Sequence, residues 1–274
     1  PDLKAAITAG AHYQSDGQGG ATWVRYAPGT AGFPSGNHGT FCMGMAGARA
    51  NNGKGGCGSA PQSELLPIAC LTDQIGSQVT LARAVAFAAD PRTEDTNAAA
   101  EDGAHVIACS LGPSGAGIWQ MTSVLELAIQ GAAQSGRDGL GVPIFWAVSN
   151  GYHDIAEDEV CSHPDVIAVG RSNRNDSDDG SAYGAKLEFL APGREVYSTA
   201  QGSRYDVGTG TSYACPLAAG VGALVLAQHP TWTRDEVRQR LRDCCDKIGG
   251  VQYNASGKHD DYGFGRINAE RAVQ

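Results

Sequence analysis

The sequence predicts an α/β, doubly wound fold: a mainly parallel sheet with helices on both faces. Four short β-rich runs, residues 65–71, 106–111, 142–148 and 166–169, alternate with segments of helical periodicity. The second and third runs are apolar almost throughout, the pattern of strands buried on both faces. A long Ala/Leu/Val run over 212–228 predicts a buried helix rather than an amphipathic surface one.

Taken in order, residues 38–48 form a small, apolar segment opened by Gly36-Asn37-His38-Gly39-Thr40. Residues 80–89 and 121–133 place apolar side chains at helical spacing, and each ends in a polar or Gly-rich break, so both read as crossover helices of βαβ units. The stretch 91–102 is polar and Ala-rich and reads as a surface excursion. Residues 233–247 form an amphipathic helix opened by a Thr-x-x-Glu capping box, Thr233 and Glu236. No linker or composition shift divides the chain, so 1–274 reads as a single domain.

Composition narrows the function. The formal net charge is −9 with no basic block, which argues against nucleic acid and anionic membrane surfaces as partners. No run reads as a membrane span and no signal segment opens the chain, so it reads as soluble, in a compartment left open between secreted and cytoplasmic. The 38 glycines lie among Ser, Asn and Asp without a period, indicating tight turns and close backbone approaches. The eight cysteines, Cys42, Cys57, Cys70, Cys109, Cys161, Cys215, Cys244 and Cys245, match no zinc spacing. Cys70, Cys109 and Cys215 lie in apolar stretches, whereas Cys161 and the vicinal Cys244 and Cys245 read as more accessible.

Three segments carry chemistry, and each has two readings. His38 at a helix N-terminus faces the positive end of the helix dipole, which keeps the imidazole neutral and basic; a loop histidine is otherwise solvated surface. Asn150 ends the strand Ile144-Phe145-Trp146-Ala147-Val148 at the sheet edge where ligands bind in such folds. There it is either an N–H donor for a developing oxyanion or a turn residue before Gly151. Ser212, in Gly210-Thr211-Ser212, is either a nucleophile or the N-cap of the buried helix.

Together these segments resemble a subtilisin-like serine protease of the subtilase family. The resemblance is carried by His38-Gly39-Thr40, by Asn51-Asn52 through Ala60-Pro61, by Ser110-Leu111-Gly112, by Ser149-Asn150-Gly151 and by Val166-Ile167-Ala168-Val169-Gly170. Leu190-Ala191-Pro192-Gly193, Gly210-Thr211-Ser212-Tyr213-Ala214-Cys215-Pro216 and Tyr262 through Ala269 complete it, in family order over nearly the whole chain. It implies peptide-bond hydrolysis through an acyl-enzyme on Ser212, with His38 as general base and Asn150 in the oxyanion hole. The substrate would be a peptide or protein, its extended backbone pairing with Ser110, Leu111 and Gly112. Ala147, Val148 and Ser149 would form the opposite wall of the first specificity pocket.

The resemblance also marks a departure. The family orders its triad Asp, His, Ser, and Pro1-Asp2-Leu3 is similar to the stretch that follows the catalytic Asp in relatives. The triad Asp is thus expected ahead of Pro1, on a strand beside those of Cys70 and Cys109, with a separate N-terminal fragment as one possible source. Neither Asp2 nor Asp16 has the matching context. No cofactor is required for the chemistry, but Asp2 and Asn52, with the carbonyls of Ala50, Lys54 and Gly56, match positions that hold structural calcium in relatives. The acidic run Glu157-Asp158-Glu159 reads as a solvated loop or as a preference for basic substrates. Two alternatives stand beside the protease: an impaired subtilase fold that binds peptides without cutting, and a ligase or cyclase using the same acyl-enzyme.

Overall fold

The computed structural model describes residues 2–15, 21–26, 36–70, 77–113 and 118–274. Strands β1 (Gly10–Ser15) and β2 (Ala21–Tyr26) come first, then helix α1 (Asn37–Gly47) and the short strand β3 (Ile68–Ala69). Helix α2 (Gln78–Ala89), strand β4 (Ile107–Cys109), helix α3 (Ser123–Ser135) and strands β5 (Ile144–Ala147) and β6 (Val166–Ser172) follow. Strands β7 (Phe189–Pro192), β8 (Val196–Ala200) and β9 (Arg204–Gly208) lead into helices α4 (Thr211–Gln228), α5 (Arg234–Asp243) and α6 (Ala269–Ala272).

Strands β4 to β7 form a parallel sheet in that order. Side chains alternate across a strand, so Ile144 and Trp146 of β5 join Leu81, Val85, Leu125 and Ile129 of α2 and α3 in one core. Phe145 and Ala147 point the other way, into a core with Ala218, Val221 and Val225 of α4 and Val237 and Leu241 of α5. Burial on both faces is why β5 is apolar at every position. The expected doubly wound arrangement is present in this sheet.

Several sequence expectations need correction. The helix of 233–247 is opened by its capping box, with Glu236 N donating to Thr233 Oγ1 at 3.3 Å and Thr233 N to Glu236 Oε2 at 2.8 Å. It stops at Asp243 because Asp246 leaves to bridge Arg266 through two backbone hydrogen bonds of 2.8 and 2.9 Å. Helix α4, with 18 residues and a mean hydropathy of 1.3, is long and apolar enough by composition to cross a membrane, contrary to the sequence reading. In the fold that apolarity is turned into the core. All eight cysteines are free, and Cys161, Cys244 and Cys245 are buried rather than accessible. Cys161 lies under a turn in which Asp158 Oδ1 accepts from Val160 N and Cys161 N. Asp158 is thereby buried, and burial raises its pKa. Glu159 Oε2 accepts from Met121 N at 2.7 Å, so the acidic run is tied into the structure instead of forming a purely solvated loop.

The N-terminal strands were not foreseen, because Gly-Ala-His-Tyr-Gln-Ser carries no apolar run. β1 pairs antiparallel with β2 and parallel with β3, giving a second sheet of order β2-β1-β3. The division between sheets falls between β3 and β4. Ile68 and Cys70 pack against the same core as Cys109, yet among the described residues β3 and β4 belong to different sheets. Within β4, Ala108 is exposed between buried Ile107 and Cys109.

Helix α5 is fixed to the sheet by charge. Glu188, 1% exposed at the start of β7, accepts from Arg238 Nε at 3.0 Å and Nη2 at 2.6 Å, and from Arg242 Nε. Burial alone would raise its pKa, but the hydrogen bonds and charges of the two guanidinium groups outweigh it and hold the carboxyl below its ordinary value. This stabilisation is complete above the ordinary carboxylate pKa and is lost as pH falls through the lowered folded value. Glu188→Gln is expected to cost about 3–5 kcal/mol at pH 7, read by urea denaturation, and the difference from wild type should shrink toward pH 3.

Candidate active site

Helix α4 begins at Thr211 with Gly210 as its N-cap, and no side chain caps it. Ser212 is therefore the second helical residue, and the N-cap reading of its hydroxyl does not hold. It stands where free backbone N–H groups and the helix dipole favour negative charge. Four residues on, Pro216 lies inside the helix. Proline has no N–H, so the helical bond to the Ser212 carbonyl cannot form. That oxygen accepts instead from Ser110 Oγ at 2.8 Å and from the Cys42 thiol at 3.2 Å. One carbonyl thus joins α4 to the end of β4 and to α1.

His38 lies in the first turn of α1, after an N-cap at Gly36. Two close approaches place this helix. A Cβ on Gly220 of α4 would stand 3.0 Å from Ala46 O of α1, and one on Gly44 of α1 would stand 2.3 Å from the hydroxyls of Ser198 and Thr199. Those hydroxyls donate to Phe41 O and Thr40 O at 2.8 Å, so β8 grips α1 along its backbone. The His38 ring centroid is 5.7 Å from that of Tyr213. Partial burial lowers the imidazole pKa below 6.5, which leaves it neutral at pH 7. Its Nδ1 lies 4.0 Å from Cys42 Sγ. Burial pushes that thiol up to about 12, so it stays neutral and supplies no negative charge. Among the described residues no carboxylate is paired with His38.

Asn150 follows β5, at the C-terminal edge of the sheet. Its Oδ1 accepts from Arg171 Nη1 at 2.6 Å and from Thr211 N at 3.0 Å. The Asn150 side chain does not close its own turn: Gly151 N donates to Ser149 Oγ at 3.2 Å instead. Thr211 Oγ1 donates to Val148 O at 2.6 Å, binding the start of α4 to the end of β5. Ser110, Leu111 and Gly112 extend from β4, with Leu111 O fixed by Trp146 Nε1 at 2.7 Å and open space beside Gly112. Across from them, Ala147 O accepts from Cys161 Sγ, Val148 N donates to Val169 O at 3.1 Å, and Ser149 O accepts from Ala182 N at 3.1 Å. The two walls expected of a substrate cleft are each held from behind. Sequence reasoning missed Arg171 and Cys42; the available signal was a lone cation closing the apolar run Val-Ile-Ala-Val-Gly-Arg.

Asp2 and Asn52 come together in the structure. Asp2 is fully buried, with Oδ1 accepting from Asn52 Nδ2 at 2.8 Å and Oδ2 from Tyr205 OH at 2.6 Å. Asn52 Oδ1 accepts from Lys54 N at 3.0 Å. Each Asp2 carboxylate oxygen thus accepts one hydrogen bond from a neutral donor and keeps further acceptor capacity, so the two side chains expected at a calcium position lie side by side. Asp16 lies outside the described residues.

Comparison with known proteins fits this geometry. The Peptidase_S8 model, described as the subtilase family, matches residues 1–265. A calcium-dependent protease of Nostoc sp. is 33% identical over 87% of this chain, which spans about 40% of that protein's length. Subtilisin Savinase of Lederbergia lenta is 31% identical over 94% of this chain and 84% of its own. A solved structure of proteases from Pseudoalteromonas arctica PAMC 21717 superposes with a TM-score of 0.80 at 25% identity, covering 99% of this chain and 85% of that one. The geometry also gives a stability expectation. Thr211→Val leaves the Val148 carbonyl without its hydroxyl donor and should cost about 1–3 kcal/mol, measured by chemical denaturation.

Proposed function

This chain belongs to the subtilase family, and on that footing we propose that it is a serine endopeptidase acting through an acyl-enzyme on Ser212. The observation that carries this reading is the pairing at the start of α4. Ser212 is not a cap, and beside it Asn150 has its oxygen engaged and its amide nitrogen without a hydrogen bond among the described residues. In the proposed reaction Ser212 Oγ attacks the scissile carbonyl while His38 takes its proton. The Asn150 Nδ2 and the Ser212 backbone N–H hold the oxyanion, and His38 returns the proton to the leaving amine. An extended peptide pairs with the 110–112 backbone, between it and the wall of Ala147, Val148 and Ser149.

His38 needs an orienting carboxylate for full activity. We propose that it arrives on a strand added between β3 and β4, from a further segment or a separate peptide. The division between the sheets and the exposed Ala108 support this position. Without that carboxylate, turnover should be lower by about 10⁴-fold, the loss seen when a triad acid is neutralised. The neutral Cys42 thiol near His38 Nδ1 favours one competing reading, a fold that binds peptides without cutting them.

A fluorophosphonate probe separates the two. Labelling of folded protein is expected at Ser212, to be absent in Ser212→Ala, and to quicken when a strand-forming peptide ending in Asp is supplied. No labelling with or without that peptide would sink the protease reading. Asn150→Ala should lower kcat roughly 100- to 1,000-fold, the loss known for the same kind of donor in subtilisin itself. Because His38 is held below 6.5, the acid limb of kcat/KM should lie below pH 6.5. It should move upward when the carboxylate is supplied, since a neighbouring negative charge favours the imidazolium.

A further inference from the structure

We infer that Arg171 is a positioning residue that decides which way round the Asn150 amide stands. The inference rests on the role proposed above for Asn150 as the oxyanion donor. An asparagine carries an acceptor oxygen and a donor NH₂ of nearly the same shape, and only its surroundings choose between the two orientations. At Asn150 the choice is made by two N–H donors from different elements: Arg171 Nη1 of β6 at 2.6 Å and Thr211 N of α4 at 3.0 Å. Turned over, the amide would set its own N–H groups against a backbone N–H and a guanidinium, donor against donor, beside a full positive charge. The oxygen is therefore held inward and Nδ2 is left for the cleft.

Arg171 can do this because it is itself immobilised. Its side chain is 10% exposed. Nε donates to Asp179 Oδ2 at 2.9 Å and Nη2 donates to Asp179 O at 2.6 Å, a two-point clamp that aims Nη1 at Asn150. Arg194 Nη1 takes the other oxygen of Asp179 at 2.6 Å. Burial alone would raise the Asp179 pKa, but its two arginines outweigh it and hold the carboxyl below its ordinary value, so the clamp stays charged at neutral pH. Room for the side chain depends on Gly193, where a Cβ would stand 2.7 Å from Arg171 Cβ and 2.9 Å from Gly210 O. Thr211 offers only neutral contacts, from its N at 3.0 Å and, more weakly, from its Oγ1 at 3.3 Å, whereas the charge-assisted bond from Arg171 is roughly twice as strong as a neutral one. A cation on the amide oxygen also polarises the group, making Nδ2–H a better donor to an oxyanion.

Three measurements test this. Arg171→Met should lower kcat roughly 10- to 100-fold, less than full loss of the donor, with KM nearly unchanged, and should weaken a peptide boronate in parallel with kcat. Arg171→Lys keeps the charge but cannot reach Asn150 and clamp to Asp179 at once, so it should recover part of the loss. In an Asn150→Ala background Arg171→Met should cost little more; an equal further loss there would show a merely structural role and overturn the proposal. The third readout needs no turnover. The Asn150 side-chain NH₂ resonances, identified by their disappearance in Asn150→Ala, should shift and broaden in Arg171→Met and Arg171→Lys proteins that remain folded. An unshifted pair overturns the positioning role even if the protein hydrolyses nothing, whereas a shifted pair without hydrolysis supports it and tells against the protease reading alone.

Discussion

The carbonyl oxygen of Ser212 is the joint on which the rest of the site depends. Pro216 removes the helical donor that oxygen would otherwise have. A part-buried carbonyl without its helical donor still needs partners, and they come from two other elements: the Ser110 hydroxyl at the end of β4 and the Cys42 thiol on α1. The constraint that interrupts the helix ladder therefore draws three elements together, one carrying the serine, one the histidine and one the segment along which a peptide can lie. The absence of a side chain at Gly220 allows the approach, since a Cβ there would stand 2.0 Å from Ser59 Oγ and 3.0 Å from Ala46 O of α1.

Around that joint, the charged groups inside the protein serve geometry. Arg171 with Asp179 orients an amide, and Glu188 with Arg238 and Arg242 holds α5 to β7. In each case a charge brought out of water is matched by charge-assisted hydrogen bonds, because an unpaired one would be too costly to bury. His38 is treated differently: its position against Tyr213 and Cys42 leaves it uncharged, and the neighbouring thiol is uncharged as well. The histidine and the asparagine proposed as base and donor are thus neutral groups, and the carboxylate that would stabilise an imidazolium is proposed to come with a strand at the division between the sheets.

Much of this was legible in the sequence where one local rule acts alone. Strand β5 buries both faces, so its apolar run shows its place directly. The capping box of Thr233 and Glu236 is a contact between neighbours and formed as read. Where a residue's role depends on distant partners, the sequence misled or was silent. Gly-Ala-His-Tyr-Gln-Ser became a strand because β3 and β2 pair with it. Cys161, Cys244 and Cys245 read as accessible beside polar neighbours, yet they are buried. Asp158 turned from a solvated acid into the acceptor of a tight turn.

What the sequence by itself determined was the set of parts: an α/β chain with a serine at the head of a buried helix, a histidine in the first turn of a small-residue helix, and an asparagine at the end of a buried strand. Periodicity and turn chemistry are local, so the chain order alone displays them. Only the tertiary structure decided the alternatives that the sequence left open. Ser212 is excluded as an N-cap because Gly210 fills that place. The Asn150 oxygen is engaged by an arginine 21 residues on, while Ser149 closes the turn before Gly151. Asp2 and Asn52, 50 residues apart, close on each other and on Tyr205. The physical reason is the same throughout: hydrogen bonds between residues distant in the chain fix orientation, and no local pattern encodes which partners will meet.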